Sequence, residues 1–305
     1  MRPVAAAREP DTRREDARTG RRVLRQALRQ LWRRKVALLG VLMVLGAVIC
    51  ALFAPVLAPH DPNAQQVQLR LLPPFWMEGA HPAYPLGTDH LGRDILSRLI
   101  YGSRVSLTVG LSAVLIAGGI GTAAGLAAGY LGGAVDDLVG RLGDVQLAFP
   151  FTLLALVVMA VLGTGMGKTI AVLGITGWVF YARVLRSEVL ALRERDFILA
   201  SRALGNPGWR TVLRHLFPNV AGTLIVLATL EVPRVIITES ALTFLGLGIQ
   251  PPTVTWGGML ADARNYITTH WWVATFPGLA LQLTVLGLNL TGDFLREILD
   301  PRLNS

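Results

Sequence analysis

The sequence predicts an all-α integral membrane protein with six transmembrane helices. Hydrophobic residues make up 52% of the 305-residue chain and charged residues only 16%, which is too apolar for an ordinary soluble domain. The apolar residues gather into runs long enough to cross a bilayer core. The basic residues are unevenly placed, with 12 of the 29 Lys and Arg in the first 35 residues. A net charge of +9 would suit nucleic acid, but this clustering follows the positive-inside rule, so the expected partner is the lipid bilayer and no nucleic acid. The single cysteine, Cys50, lies in an apolar run, which excludes an intramolecular disulfide and a cysteine metal cluster.

Residues 1–35 read as cytoplasmic. They form a polar tail to about residue 20, then a basic amphipathic stretch over 21–35 expected to lie on the inner membrane surface. The first span, within 36–58, is about 33 Å long as a helix over residues 36–57. A signal peptide is the rival reading, but the charged lead-in and the length of the run favour a retained anchor. Residues 59–104 follow as an external loop. Within it Leu96, Leu99 and Ile100 suggest a short interfacial helix, with Arg93, Arg98 and Arg104 snorkelling to headgroups. His81, Asp89, His90 and Asp94 invite a metal reading. No histidine pair has helical zinc spacing, so a polar loop with Asp caps and no metal is expected.

Residues 105–295 make a five-helix membrane core. The second span, about 105–130, carries Ala113, Ala117, Gly121, Gly125 and Gly129 at every fourth position, a stripe that lets another helix approach closely. A turn with Asp136, Asp137, Arg141 and Asp144 leads to the third span, 147–162. Gly163 to Thr169 imitates a phosphate-binding loop, but Leu162 stands where that motif needs its first Gly, and the topology places Lys168 outside. An outer turn is expected there. The fourth span is 170–190, the fifth 220–245 and the sixth 273–295, with a cytoplasmic tail over 296–305. Trp256, Tyr266, Trp271 and Trp272, outside the fifth and sixth spans, suit an aromatic belt. On this topology the inside segments, counting Arg183 and Arg186 at the inner end of the fourth span, hold 22 Lys and Arg and the outside segments 6, so both termini are expected inside. Polar groups in a span are expensive, which makes Glu231, Arg234, Glu239 and Asn289 candidates for the bundle interior or a translocation path. Glu231 and Arg234, three residues apart, can pair.

The long polar interruption at 188–219 is built like a helical hairpin. Residues 198–204 read as helix, Gly205 tolerates the positive φ of a helix C-terminus, and Asn206 is expected to cap a second helix with Pro207 in its first turn. That helix carries Trp209, Val212, Leu213, Leu216 and Phe217 at spacings of three and four, with Arg210, Arg214 and His215 between them, and Pro218 is expected to stop it. A DNA-binding helix-turn-helix has the same outline. Apolar spans on both sides tether this hairpin to a membrane, where an amphipathic element suits a partner's groove.

Leu199-Ala200-Ser201, then Gly205, then Leu216-Phe217-Pro218 resemble the EAA cytoplasmic loop of permease subunits in binding-protein-dependent ABC importers. The spacing holds, while Leu199 replaces the motif's Glu, Ser201 its second Ala, His215 its Ile and Phe217 its Leu. The stretch PLGTDHLGRDILSRLIYGSRVSL, residues 85–107, is similar to the sequence before the second helix in C-type permease subunits of dipeptide, oligopeptide and nickel importers. LLPPFWMEG, just upstream, leans towards the dipeptide branch, as do the sixth span and its flanks.

The resemblance implies a type I importer permease fold in a bacterial inner membrane. It implies a heterodimer with a second permease subunit, an extracytoplasmic peptide-binding protein, and two cytoplasmic ATP-binding subunits that hold the ATP and Mg. No cofactor and no catalytic residue is expected in this chain. The resemblance further implies that Ala200, Ser201, Arg202, Ala203, Gly205, Pro207, Arg210, Arg214, Leu216 and Pro218 couple the subunit to its ATPases. Nickel or another solute is the alternative cargo. A channel or a membrane-embedded enzyme are the alternatives of other classes, but no cluster of nucleophiles or paired acids stands out, and a channel has no use for such a hairpin.

Overall fold

The computed structural model describes Leu31 and residues 34–299, and no strand occurs among the described residues. The expected N-terminal tail, nearly all of the amphipathic stretch after it and the end of the C-terminal tail lie outside them. The helices are α1 (Lys35–Leu52), α2 (Ala54–Leu57), α3 (Ile95–Leu131), α4 (Gly133–Leu147), α5 (Phe151–Leu162), α6 (Met166–Leu192), α7 (Asp196–Ala203), α8 (Gly208–Thr211), α9 (Phe217–Phe244), α10 (Trp256–Ala263) and α11 (Trp272–Leu299). Five helices are long and apolar enough to cross a membrane, and α4 with α5, bent by 85° at their break, passes the same test when the pair is taken as one span.

The stripe of small residues on α3 finds its partner in α6. A Cβ on Gly121 would lie 2.5 Å from the Trp178 carbonyl oxygen, and one on Gly129 would lie 2.8 Å from Val189 Cβ. Without these side chains the two backbones close up, which is how helices gain packing energy where lipid offers no hydrophobic drive. The core fills around this seam with Val109, Ala113, Val114, Leu173, Tyr181, Val232 and Ile236. On the other flank α11 packs against α1 and α9, and Arg34 pairs with Glu297. The first and last described helices therefore meet at one end of the bundle.

Several boundaries differ from the sequence expectation. The first span stops at Leu52, and Pro55 in the first turn of α2 explains the break, because it has no N–H to continue the ladder. The expected interfacial helix and second span are one helix of 37 residues. Asp94 starts it by accepting a bond from the Ser97 backbone N–H at 2.9 Å, and no proline interrupts it. Residues 133–147 form a helix instead of a turn. Gly132, at φ 67°, ends α3, and Asp136 in the first turn of α4 complements the helix dipole. The third span proper is only 12 residues, or roughly 18 Å.

Residues 59–94 are also more ordered than the expected snorkelling loop. Arg93 and Arg98 are buried and do not reach for headgroups. Arg93 donates to Asp89 at 2.6 Å and to Asp262 at 2.7 Å, and Arg98 donates to the same two carboxylates. The cluster fastens residues 59–94 to α10, which the sequence separates by some 170 positions. Ligand atoms of Asp89, His90 and Asp262 come within 4.8 Å of one another, but two guanidinium groups already hold the carboxylates that a cation would need. Trp256 and Trp272 are core residues and not belt residues, since Trp256 donates to the Leu99 carbonyl at 3.0 Å and both are buried. At the imitation phosphate loop, Lys168 donates to the Leu162 carbonyl at 2.6 Å and closes a turn.

Burial raises the Asp89 carboxyl pKa, but Arg98, Arg93 and the backbone N–H groups of Arg93 and Leu91 outweigh it and hold the group below its ordinary value of 3.8. A depressed carboxylate pKa stabilises the fold above its unfolded value and loses that contribution as pH falls through the folded one. The gap in thermal midpoint between wild type and Asp89→Asn is therefore expected to stay constant above about pH 5 and to shrink below about pH 4. A gap independent of pH would show that the carboxylate does not carry the clamp.

Candidate functional site

At the end of the bundle where α1 begins, α6 leads into the hairpin. α7 closes in a Schellman motif: the Asn206 N–H bonds the Ser201 carbonyl at 3.2 Å and the Gly205 N–H bonds that of Arg202 at 2.9 Å. Gly205 sits at φ 74°, where an L side chain is strained. A polar knot then ties the two limbs. Buried Ser201 and Thr211 share a hydroxyl contact of 3.2 Å, and the Asn206 side chain donates to Ser201 Oγ at 3.2 Å. Asn206 thus serves the turn and does not cap the second helix, whose N-cap is Pro207, one position later than expected.

Pro218 does not stop the second helix. A π-turn over Val212–Leu216 joins α8 to α9, so Gly208–Phe244 runs as one rod of 37 residues. The wider π-turn makes room for the proline ring beside the preceding carbonyls. Asn219 Nδ2 donates to the His215 carbonyl at 2.6 Å there. One side of the hairpin is seated on the bundle through Ile198, Leu216 and Val220, packed with Leu126, Leu185 and Val189. Leu216 is fully buried, so it anchors and does not contact a partner. The other side is bare. Phe197 and Ala200 on α7 and Leu204 at its C-cap share one side and are exposed, Leu204 at 82%. Ala203, Pro207, Arg210, Arg214 and Pro218 are exposed as well.

The polar residues of the spans divide into separate settings. Glu231 is buried and accepts from Arg234 Nη1 at 3.3 and 3.4 Å. Arg234 keeps nearly half of its side chain exposed and lies 4.6 Å from the centre of the Phe151 ring. Glu239 is fully buried and accepts from Thr243 Oγ1 at 2.8 Å, which in turn accepts from the Ile249 N–H at 3.0 Å. That network pins the loop after α9 and does not line an open path. Asn289 is exposed on α11.

The family described as "Binding-protein-dependent transport system inner membrane component" matches residues 121–305, and "N-terminal TM domain of oligopeptide transport permease C" matches residues 23–74. This chain belongs to that permease family. It is 45% identical over 282 residues to the di/tripeptide transport system permease protein DppC of Pseudomonas aeruginosa, covering 91% of this chain and 93% of the relative. It is 44% identical over 280 residues to the dipeptide transport system permease protein DppC of Escherichia coli K12, covering 90% and 93%. With the Bacillus subtilis dipeptide transport system permease protein DppC it shares 39% over 281 residues, covering 91% and 85%. The chain is thus a multi-pass inner membrane permease subunit of an ABC transporter.

The permease also uses residues that its sequence did not single out. Tyr130, at the end of α3, supports the hairpin: the Arg202 guanidinium stacks 4.8 Å from its ring centre, and a Cβ on Gly208 would come within 3.1 Å of it. Arg186 pairs with Asp136, and Arg183 with Asp144, bracing α4 against α6. The aromatic at position 130 follows the small-residue stripe, a signal only once α3 is known to end beside the hairpin.

Gly208→Val presses a branched side chain against the Tyr130 ring and is expected to destabilise the hairpin by about 1–3 kcal/mol. Tyr130→Ala removes the obstacle, so the double variant should lose less than the sum of the two. Hydrogen exchange over residues 196–216 measures this, and strict additivity would show that ring and glycine do not meet.

Proposed function

We propose that this permease forms half of the translocation pathway of an ATP-driven importer for dipeptides and short oligopeptides. Its partners in this reading are a second permease subunit, two cytoplasmic ATP-binding subunits that hold ATP and Mg, and an extracytoplasmic peptide-binding protein. The names of the relatives, which include di/tripeptide and dipeptide transport, support the cargo. The hairpin end and both termini face the cytoplasm, in keeping with the excess of basic residues there.

The continuity of the Gly208–Phe244 rod carries the mechanism. The bare face of α7 docks on an ATPase, with Arg210 and Arg214 at the edge of the contact. When nucleotide turnover moves the ATPase, the hairpin cannot bend freely away from α9, because no loop separates them. Motion at Gly208 is delivered about 55 Å along the rod if it stays helical throughout. The same displacement reshapes an apolar groove of about 960 Å³ that runs between α3 and the rod from Tyr130 and Trp209 to Val114 and Ala228.

A Cβ at Gly205 meets no atom within 4 Å, so the main penalty of a β-branched residue there is one of backbone, about 1–2 kcal/mol. Gly205→Val is therefore expected to leave the spans inserted while uncoupling ATP hydrolysis from uptake or weakening assembly. Pro207→Ala should be milder, since the donor it adds lies at a helix start open to water. Wild-type assembly, ATPase stimulation and uptake in Gly205→Val would show that the hairpin is not the coupling element.

The purified chain by itself is expected neither to bind nor to hydrolyse ATP, because Lys168 closes a turn and its loop lacks the first glycine of the phosphate-binding motif. Nucleotide binding that disappears in Lys168→Ala would overturn this.

A further inference from the structure

Two features that lipid tolerates poorly lie side by side in this permease. The first is Arg234, whose side chain is 48% exposed although it stands ten residues inside the end of α9, roughly 15 Å deep and near the bilayer midplane. The second is the break between α4 and α5, where residues 148–150 leave the helix and are all exposed. Gln146, beside the break, bonds the Thr176 carbonyl and accepts from Trp178 Nε1 at 2.8 Å. Thr176 is ten residues inside the start of α6, again roughly 15 Å. Phe151, at the start of α5 just past the break, is the residue on which Arg234 stacks. Both depth measures therefore agree.

An exposed cation at that depth and non-helical backbone at that depth each require protein or water beside them. Their coincidence turns this face of the subunit away from lipid. Arg234 is held there but not saturated. Its Nη1 reaches Glu231 by two long contacts, and its side chain forms no other hydrogen bond among the described residues. A guanidinium with a ring behind it, one edge held by a buried carboxylate and the remaining N–H groups open is suited to a second carboxylate in bidentate geometry.

We propose that Arg234 receives the C-terminal carboxylate of the peptide as it crosses the membrane, which makes it a specificity-determining residue in the permease itself. This rests on the dipeptide reading above. The Glu231–Arg234 pair is close to neutral as a unit, so a zwitterionic peptide is recognised by directed hydrogen bonds and is not trapped by a bare charge. That balance suits a transit site, where binding must be strong enough to admit a solute and weak enough to release it. A carboxylate of the second permease subunit would use the same fork, and the test separates the two.

The complete importer, reconstituted with its binding protein, is given alanyl-alanine or alanyl-alanine amide, each at a concentration that saturates the binding protein. Wild type is expected to take up the free acid about tenfold faster than the amide or more, the difference made by one charge-assisted pair. Arg234→Gln should slow the acid, leave the amide unchanged and so collapse the ratio. Arg234→Lys keeps the charge without the fork and should give an intermediate ratio. An unchanged ratio in assembled Arg234→Gln overturns the proposal. If Arg234→Gln does not assemble while Arg234→Lys assembles with the wild-type ratio, the arginine belongs to an intersubunit pair and the proposal is likewise overturned. A wild-type importer that takes up neither form sinks the dipeptide reading, and this inference with it.

Discussion

The close approach of α3 and α6 is the constraint on which the other features of this permease depend. Apolar side chains gain nothing by leaving lipid for one another, so helices in a membrane hold together through packing and through polar contacts that packing brings into range. Here Gly121, Gly125 and Gly129 let the two backbones nearly touch. At the middle of the seam this fixes Tyr181 in the core and Trp178 where it can hold Gln146, and through Gln146 the break between α4 and α5. At its end the seam places Leu126, Leu185 and Val189 as the floor on which the hairpin sits. The hairpin's seat and the packing beside the α4–α5 break are thus two outcomes of one helix contact.

Polar groups in and around the spans are handled in different ways, and the differences separate structure from function. Glu239 is enclosed and its bonds are local, so it fastens a loop. Asp136 and Asp144 are paired with arginines on α6, so they brace a helix that has little apolar packing of its own. The Asp89–Arg93–Arg98–Asp262 cluster joins the segment before α3 and the first turn of α3 to α10, far apart in sequence. Arg234, ten residues inside the end of α9, is fixed by Glu231 and still half open. A group that is positioned by its neighbours but not satisfied by them is one that can take a ligand without reorganising.

The hairpin shows how a turn motif and a register change act together. The Schellman turn at Gly205 sets the angle between the limbs, and the Ser201–Thr211–Asn206 knot locks it. The π-turn at Val212–Leu216 then absorbs Pro218 without a bend that would free the hairpin from α9. Stiffness at both points ties α7 to α9 as one unit.

Local chemistry in the sequence was enough for the class, the number of spans, the small-residue stripe, the positive φ at Gly205 and the Glu231–Arg234 pair. Each depends on composition or on residues within about one helical turn, and such signals survive without knowledge of neighbours. The tertiary structure decided the rest. Pro218 reads as a helix stop by its own chemistry, yet the helix continues because a π-turn supplies the room. Arg93 and Arg98 read as snorkelling side chains, yet they are buried because Asp262 arrives from α10. Tyr130 had no sequence signal until Gly208 and Arg202 were set against it. The depth of Arg234 beside the α4–α5 break likewise depends on which helices lie next to each other, a property of packing that no window along the chain contains.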